Sequence, residues 1–459
     1  MTEGRVPAAV PAGTPRAPSS LAQEETLRRR RLARALVVLH NSQSLVREPA
    51  VLANLEHLFL AGREMDYGAR LHEHGVVTGP QAIMYAKFLG FGADELRLRV
   101  LPDLKAAQIV DYTYQGEDLQ AVEEYIGVSG SLLDQTYSLL EHLRPSTLER
   151  ATLYSMLLGS WAPLARSTHL NALTVRGFKD QDAVAGLDHS LACDVNVALR
   201  SDELGEDVIF NANVWGSNIV SIAKFLHGLP FAEREVLLAI AEQTASRPGL
   251  ALANLGGADP SIVRAAQRVG LVQTATVRSS ASARTSQTYA FGPLIEVADN
   301  LLVTSEALHG RKQFVAHMLF AHEKALAGRG RVFSPILLVE ALIRDGKVGP
   351  ATNIGTDYHL LEAAGIVTVD DSGGGRPYLR LVKREIAEGG LLWLRQSYIE
   401  APGAAVASLA DLRPPRGFRS PELERARLPR DAAADEITRA AVLELRKEAQ
   451  RAARGEINA

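Results

Sequence analysis

From Pro260 to Ile295 the chain carries four arginines (Arg264, Arg268, Arg278 and Arg284) and no aspartate or glutamate, within a protein of formal net charge −3. Asp259-Pro260 reads as a helix start, with Asp at the N-cap and Pro at the first helical position. Ser261 then stands at the helix entrance. On this helix Ile262, Ala266 and Val269 share one face, and Arg264, Gln267 and Arg268 share the opposite one at i, i+3, i+4 spacing. Arginine and glutamine match the guanine and adenine edges of the DNA major groove. The polar stretch after Val277 adds Ser279, Ser280, Ser282, Thr285 and Ser286, short hydroxyls of the kind that contact phosphate. The chemistry expected of this zone is recognition of double-stranded DNA.

Bond-making chemistry finds less support. No G-x-x-x-x-G-K-[ST] and no H-E-x-x-H occurs; Gly346-Lys347 lacks the upstream glycine, and His317 and His322 are five apart. His72-Glu73-His74 puts its imidazoles on different faces of a helix or opposite edges of a loop. His189, Cys193 and Asp194 mix imidazole, thiol and carboxylate, and helical spacing would bring His189 and Cys193 together as a Cys–His nucleophile needs. A small buried cysteine is the more common use of that residue. The sequence therefore predicts no catalytic residue, no metal and no cofactor. Cys193 is the one cysteine, which excludes a disulfide framework and a multi-thiolate metal site.

The elements that must position these residues follow from periodicity. The chain has 459 residues, enough for two to four domains at roughly 150 each. Residues 1–22, with Pro7, Pro11, Pro15 and Pro18, are expected to be a disordered tail without the apolar core of a secretory signal. Helices follow over 23–77, opened by the run Arg28 to Arg31 and Arg34, which suits a basic arm on phosphates. Residues 401–430, with Pro402, Pro414, Pro415, Pro421 and Pro429, read as a Pro/Arg linker. The helix of 431–459 carries Ile437, Ala441 and Leu445 four apart, a thin stripe fit for a partner helix or a homodimer contact. No apolar run reaches the roughly 18–20 residues of a membrane span. Only nine of the 50 basic residues are lysines, so an isolated arginine says little here.

Three segments repeat one motif, an apolar helix end, a stop, then a β-prone run: Leu104 to Tyr114, Ala265 to Thr274 and Leu360 to Val369. Gly270 and Gly365 sit where a helix end needs the left-handed backbone; Gln108 takes that place in the first copy, whose helix Pro102 is expected to break. The third copy is the clearest. Pro335 to Arg344 is a helix, Thr356 the expected cap of a second helix to Ala364, and Ile366–Val369 and Tyr378–Val382 a hairpin. This order resembles the winged helix-turn-helix superfamily, over 78–128, 229–297 and 332–400, with a connecting helix at 298–331. The resemblance implies DNA contact by the second helix and the hairpin wing, hence by Ser261, Arg264, Gln267, Arg268, Arg278 and Arg284, and by Arg376 and Arg380 in the third copy. The third copy's helix offers His359 and Glu362 instead, which favours a protein partner there.

The middle, 129–228, is expected to be mostly helical with a hairpin from Asp194–Leu199 to Asp207–Val214 and a helix at Ser217–Leu226, and no known arrangement is assigned to it. The fold expected is mainly α with small β-hairpins (α+β), built of tandem winged-helix domains. The function expected is DNA binding in a bacterial cytoplasm, nucleoid-associated, in transcription regulation or another DNA-linked system. The alternative is a non-catalytic interaction scaffold, as resembles accessory subunits of chromosome-organising or defence complexes. One exposed basic surface of Arg264, Arg268, Arg278 and Arg284 would decide for DNA, and a hydrophobic patch or an acidic neighbour over that face for the scaffold.

Overall fold

The computed structural model describes residues 18–126, 130–213, 231–255, 259–279, 286–292, 301–324, 332, 334–370, 375–397 and 417–453. The helix expected at Ser217–Leu226 lies outside them. Within them the fold is mainly α with small antiparallel sheets of three or four strands, and no helix is long and apolar enough to cross a membrane.

One arrangement occurs four times. The first unit runs α3 (Glu56–Leu71), β1 (Val76–Thr78), α4 (Gly79–Phe88), α5 (Ala93–Glu95), a π-helical stretch Leu96–Val100, α6 (Leu101–Ala106), β2 (Val110–Gln115) and β3 (Asp118–Glu124). The second runs α8 (Thr147–Trp161), β4 (Leu164–Ala165), α9 (Arg166–Thr174), α10 (Asp180–Ala192), β5 (Asn196–Ser201) and β6 (Glu206–Asn211). The third has α11 (Phe231–Ser246), β7 (Leu250–Ala251), a 3-10 turn Leu252–Asn254, α12 (Pro260–Arg268), β8 (Gln273–Arg278) and β9 (Ser286–Phe291). The fourth has α14 (Pro335–Asp345), β10 (Lys347–Val348), α15 (Ile354–Asp357), α16 (His359–Ala363), β11 (Val367–Asp370) and β12 (Tyr378–Leu381). In every unit the short first strand pairs with the third, so the sheet order is first, third, second. Helix, strand, helix, helix, hairpin: the middle of the chain is one more copy.

The corner before each hairpin explains why the copies share this shape. Gln108, Asp194, Gly270 and Gly365 all have positive φ, at 59°, 57°, 77° and 67°. Each donates its N–H to the carbonyl three residues back, at 3.0 Å from Gln108, 3.0 Å from Asp194, 3.1 Å from Gly270 and 2.8 Å from Gly365. The left-handed residue closes the helix and aims the next apolar side chain (Ile109, Val195, Leu271 or Ile366) into the core, where each is at most 1% exposed. Aspartate tolerates this backbone through its short polar side chain, so the second unit does without a glycine.

Other elements tie the units together. α1 (Pro18–Ser42) packs with α2 (Pro49–Asn54), α3, α7 (Gly130–His142) and α8 around Leu36, Leu39, Leu55 and Leu58, each 0% exposed. α13 (Leu301–Lys324) lies against β8 and α17 (Arg384–Ser397). Several expectations are corrected. Helix α1 begins at Pro18, inside the expected tail. Pro102 does not break its helix, because the π stretch just before it absorbs the ring and the missing N–H. Thr356 lies within α15, and Tyr358 precedes α16 as a cap without a side-chain hydrogen bond. The expected linker contains β13 (Gly417–Arg419), which joins β8, and α18 (Pro421–Arg425), which is partly buried.

The strap formed by β13 and α18 places a buried carboxylate in the core. Glu422 is 4% exposed; its carboxylate favours the charged form of Lys312 and, after Asp194, that of Arg425. Lys312, 1% exposed, bonds Gln273 on β8, and burial pulls its ammonium down to about 8. Arg425 reaches the second unit through Asn213 and the Asp194 carbonyl at 3.2 Å.

Two stability outcomes follow from these features. Gln108→Gly should raise the unfolding midpoint, since the left-handed backbone costs a side chain about 1 kcal/mol, whereas Gly365→Ala should lower it further than that because its Cβ would fall 2.4 Å from the Arg70 carbonyl oxygen. Glu422→Ala should lower unfolding free energy by about 3 to 5 kcal/mol, as expected when a buried charge loses its partner; denaturant titration reads both.

Candidate functional site

The third unit's second helix, α12, is built as the sequence suggests. The Asp259 carboxylate accepts the Ser261 N–H at 2.7 Å, and Pro260 opens the helix. Ala265, Ala266 and Val269 are buried beneath it. Over its outer face lies α19 (Ala432–Ala453), the C-terminal helix. Ser261 donates to the Asp431 carboxylate at 3.1 Å, and the Arg264 Nε donates to the same oxygen at 2.6 Å. Arg268 is ion-paired with Asp435 and donates to the Pro429 carbonyl at 2.7 Å. The acidic neighbour is present.

Asp431 has two duties at once. One carboxylate oxygen caps α19 by accepting the N–H groups of Ala433 and Ala434 at 3.1 Å each, and the other holds Ser261 and Arg264. The Ala434 N–H, followed by the Arg264 and Ser261 hydrogen bonds, keeps this carboxyl below its ordinary range. Behind it Ala434, Ile437, Ala441 and Val442 are buried in one cluster with Ala265, Ala266 and Val269. The apolar stripe expected to meet a partner helix or a second copy is thus used within the chain, at Ile437 and Ala441.

The remaining expected contacts are scattered. Gln267 is buried, 7% exposed, with its amide donating to Thr274 at 3.2 Å; it belongs to the inner side of the helix because α12 ends one residue later against the hairpin. Arg278 ends β8 opposite Gly417 of β13, where a Cβ would come within 2.9 Å of its Nε. Arg284, Ser280, Ser282 and Thr285 lie outside the described residues. In the fourth unit Arg376 donates to the Pro350 carbonyl at 3.2 Å and Arg380 pairs with Asp370 at 2.9 Å. The Arg28 to Arg34 run is held at home as well: Arg28 and Arg29 bond Glu25, and Arg30 grips both oxygens of Asp134 at 2.9 Å.

The corner residues put the four second helices in register. Ser261, Arg264 and Arg268 correspond to Thr356, His359 and Ala363 in the fourth unit, each 95 places further along, as Gly365 is from Gly270. Counting back from Asp194 and Gln108 gives Ala185, Asp188 and Ala192 in the second unit and Arg99, Pro102 and Ala106 in the first. Only the third unit has a basic face at these positions, and that one is covered.

The reactive residue types are quiet. Cys193 is 0% exposed and burial pushes its thiol up to about 12. His189 turns away from it, with its ring nitrogens engaged by the Ala185 carbonyl at 2.7 Å and the Asn54 amide at 3.1 Å. His72 faces Glu124 at 3.6 Å and His74 bonds the Tyr85 hydroxyl at 3.2 Å, so the two diverge. No group of three metal-ligating side chains occurs among the described residues. The chain matches no family model, no curated protein and no solved structure.

The depressed Asp431 carboxyl sets a pH signature. A lowered pKa contributes stability above the ordinary carboxylate range, and that contribution is lost as pH falls through the folded value. Asp431→Asn should therefore melt below the native chain at about pH 7, and the gap should close towards about pH 3; melting curves at the two pH values check it.

Proposed function

We propose that the chain is a non-catalytic interaction scaffold made of four winged-helix units, with its basic helix face closed by its own C-terminal segment. The observation that supports this reading is the engagement of Ser261, Arg264 and Arg268 by Asp431 and Asp435. A carboxylate in that position repels a phosphate backbone and competes for the donors a phosphate would use. The equivalent positions in the other three units offer alanine, aspartate, proline, threonine and histidine, with Arg99 the one other arginine, in ion-pair range of Glu56 at 3.4 Å. Winged helices serve protein docking as well as DNA docking, and fold alone does not choose.

A second reading keeps DNA as the partner of the same face after the C-terminal segment has left it. It is favoured by the grouping of Ser261, Arg264 and Arg268 into one patch in an otherwise acid-free stretch. The experiment is gel retardation of a random-sequence duplex across a salt series. The native chain should leave the duplex unshifted even at about 50 mM salt, where phosphate contacts are strongest. A salt-sensitive shift by the native chain that Arg264→Ala with Arg268→Ala abolishes would overturn the scaffold reading. A shift gained only by Asp431→Ala with Asp435→Ala would support the second.

A further inference from the structure

The face that α19 covers in the third unit has an open counterpart in the fourth. Thr356, His359 and Ala363, the equivalents of Ser261, Arg264 and Arg268, form one wall of a groove of about 870 Å³. The opposite wall is α4 of the first unit, where Ile83, Met84, Lys87 and Phe88 line it along one helix stripe. Phe88 is 56% exposed, a large apolar surface to leave in water. The two walls are fixed to each other: Arg70 bonds the Ala363 carbonyl and sits 5.4 Å from the Phe88 ring centre, and Lys383 donates to the Ala69 carbonyl at 2.6 Å.

We infer that this groove docks an amphipathic helix of a partner protein, acidic at its N-terminal end, in the manner that α19 occupies α12. The inference deepens the scaffold reading and rests on it. Three observations converge on that occupant. The same face of the same helix position is already filled by such a helix once within this chain. The width between two helices with an apolar floor suits helix-in-groove recognition, in which anchors at i, i+3, i+4 and i+7 enter the cleft. Lys87, exposed on the α4 wall, gives the rim a cation to meet acids placed as Asp431 and Asp435 are, and His359, exposed on the other wall, is hydrogen-bonded to Glu362 at 3.3 Å.

The probe is a labelled peptide spanning residues 431–453 of this chain, titrated with the full-length protein and read by fluorescence anisotropy. It carries the acidic start and the Ala434, Ile437, Ala441, Val442 stripe. Saturable binding is expected, at least tenfold weaker to Phe88→Glu and to Met84→Glu, and unchanged by Arg264→Ala with Arg268→Ala. Changing Asp431 and Asp435 of the peptide to lysine should weaken it severalfold. Phe88→Glu should melt with the native chain, since that side chain is already in water. No saturable binding up to about 1 mM peptide, equal binding by Phe88→Glu, or loss through the Arg264 and Arg268 changes would each overturn the inference. So would a native dimer that Phe88→Glu dissolves, which would make a second copy the occupant. The duplex result is independent: a native shift there sinks the scaffold reading, whereas failure of the peptide alone sinks only the groove.

Discussion

Glu422 is a carboxylate in the core of a helical protein, and its charge favours the buried cations around it. Lys312 and Arg425 are buried cations, and Arg34, 3% exposed, adds its charge to the field at Lys312. Cations taken out of water need an opposite charge close by or they push the structure open. For Lys312 the chain supplies that charge from the strap at the end of the Pro/Arg stretch, long after the helices that hold Arg34 and Lys312, and for Arg425 Glu422 adds to Asp194. Seating Glu422 therefore draws the strap inward. β13 is laid along β8, Arg425 is sent to the second unit, and the chain leaves α18 aimed at α12. Asp431 arrives at Arg264 nine residues after Glu422 has been seated at the core.

Closure of the basic face is thus a by-product of charge balance at depth as well as of the Asp431 contacts at the surface. The two ends of the segment use different physics. At Glu422 the surroundings are dry and each ion is costly to leave alone, whereas Arg264 and Asp431 are partly solvated and their attraction is weaker. The surface contact can be altered by substitution or pH while the core contact stays in place. Among the described residues no such segment lies over units one and four, and their helices face each other across a cleft.

Much of this fold was legible in the sequence through one device, the left-handed corner. Gly270 and Gly365 advertise it because glycine adopts positive φ without a steric cost. Asp194 conceals it, although Leu191-Ala192-Cys193-Asp194-Val195 has the same helix end and the same β-prone run. Pro102 misled in the opposite direction, since a π stretch is a tertiary accommodation that no local pattern reveals. The acid-free zone around Arg264 is plain in the composition. Its covering by Asp431 and Asp435, more than 160 residues away, is a long-range pairing that spacing along the chain does not encode. The same holds for the groove: the α4 stripe is visible as periodicity, but its opposing wall comes from the fourth unit.

The bonds from Arg70 to Ala363 and from Lys383 to Ala69 join residues 293 and 314 positions apart. During synthesis at about 5 to 20 residues per second, the first unit waits roughly 15 to 60 s before its partner surface has been made. Over that interval Phe88 and its neighbours have no opposite wall, and the first unit must stand on its own core of Tyr67, Tyr85 and Val122. The cleft between α4 and α16 is therefore among the last features of the molecule to come into being, and only a chain translated through the fourth unit can possess it.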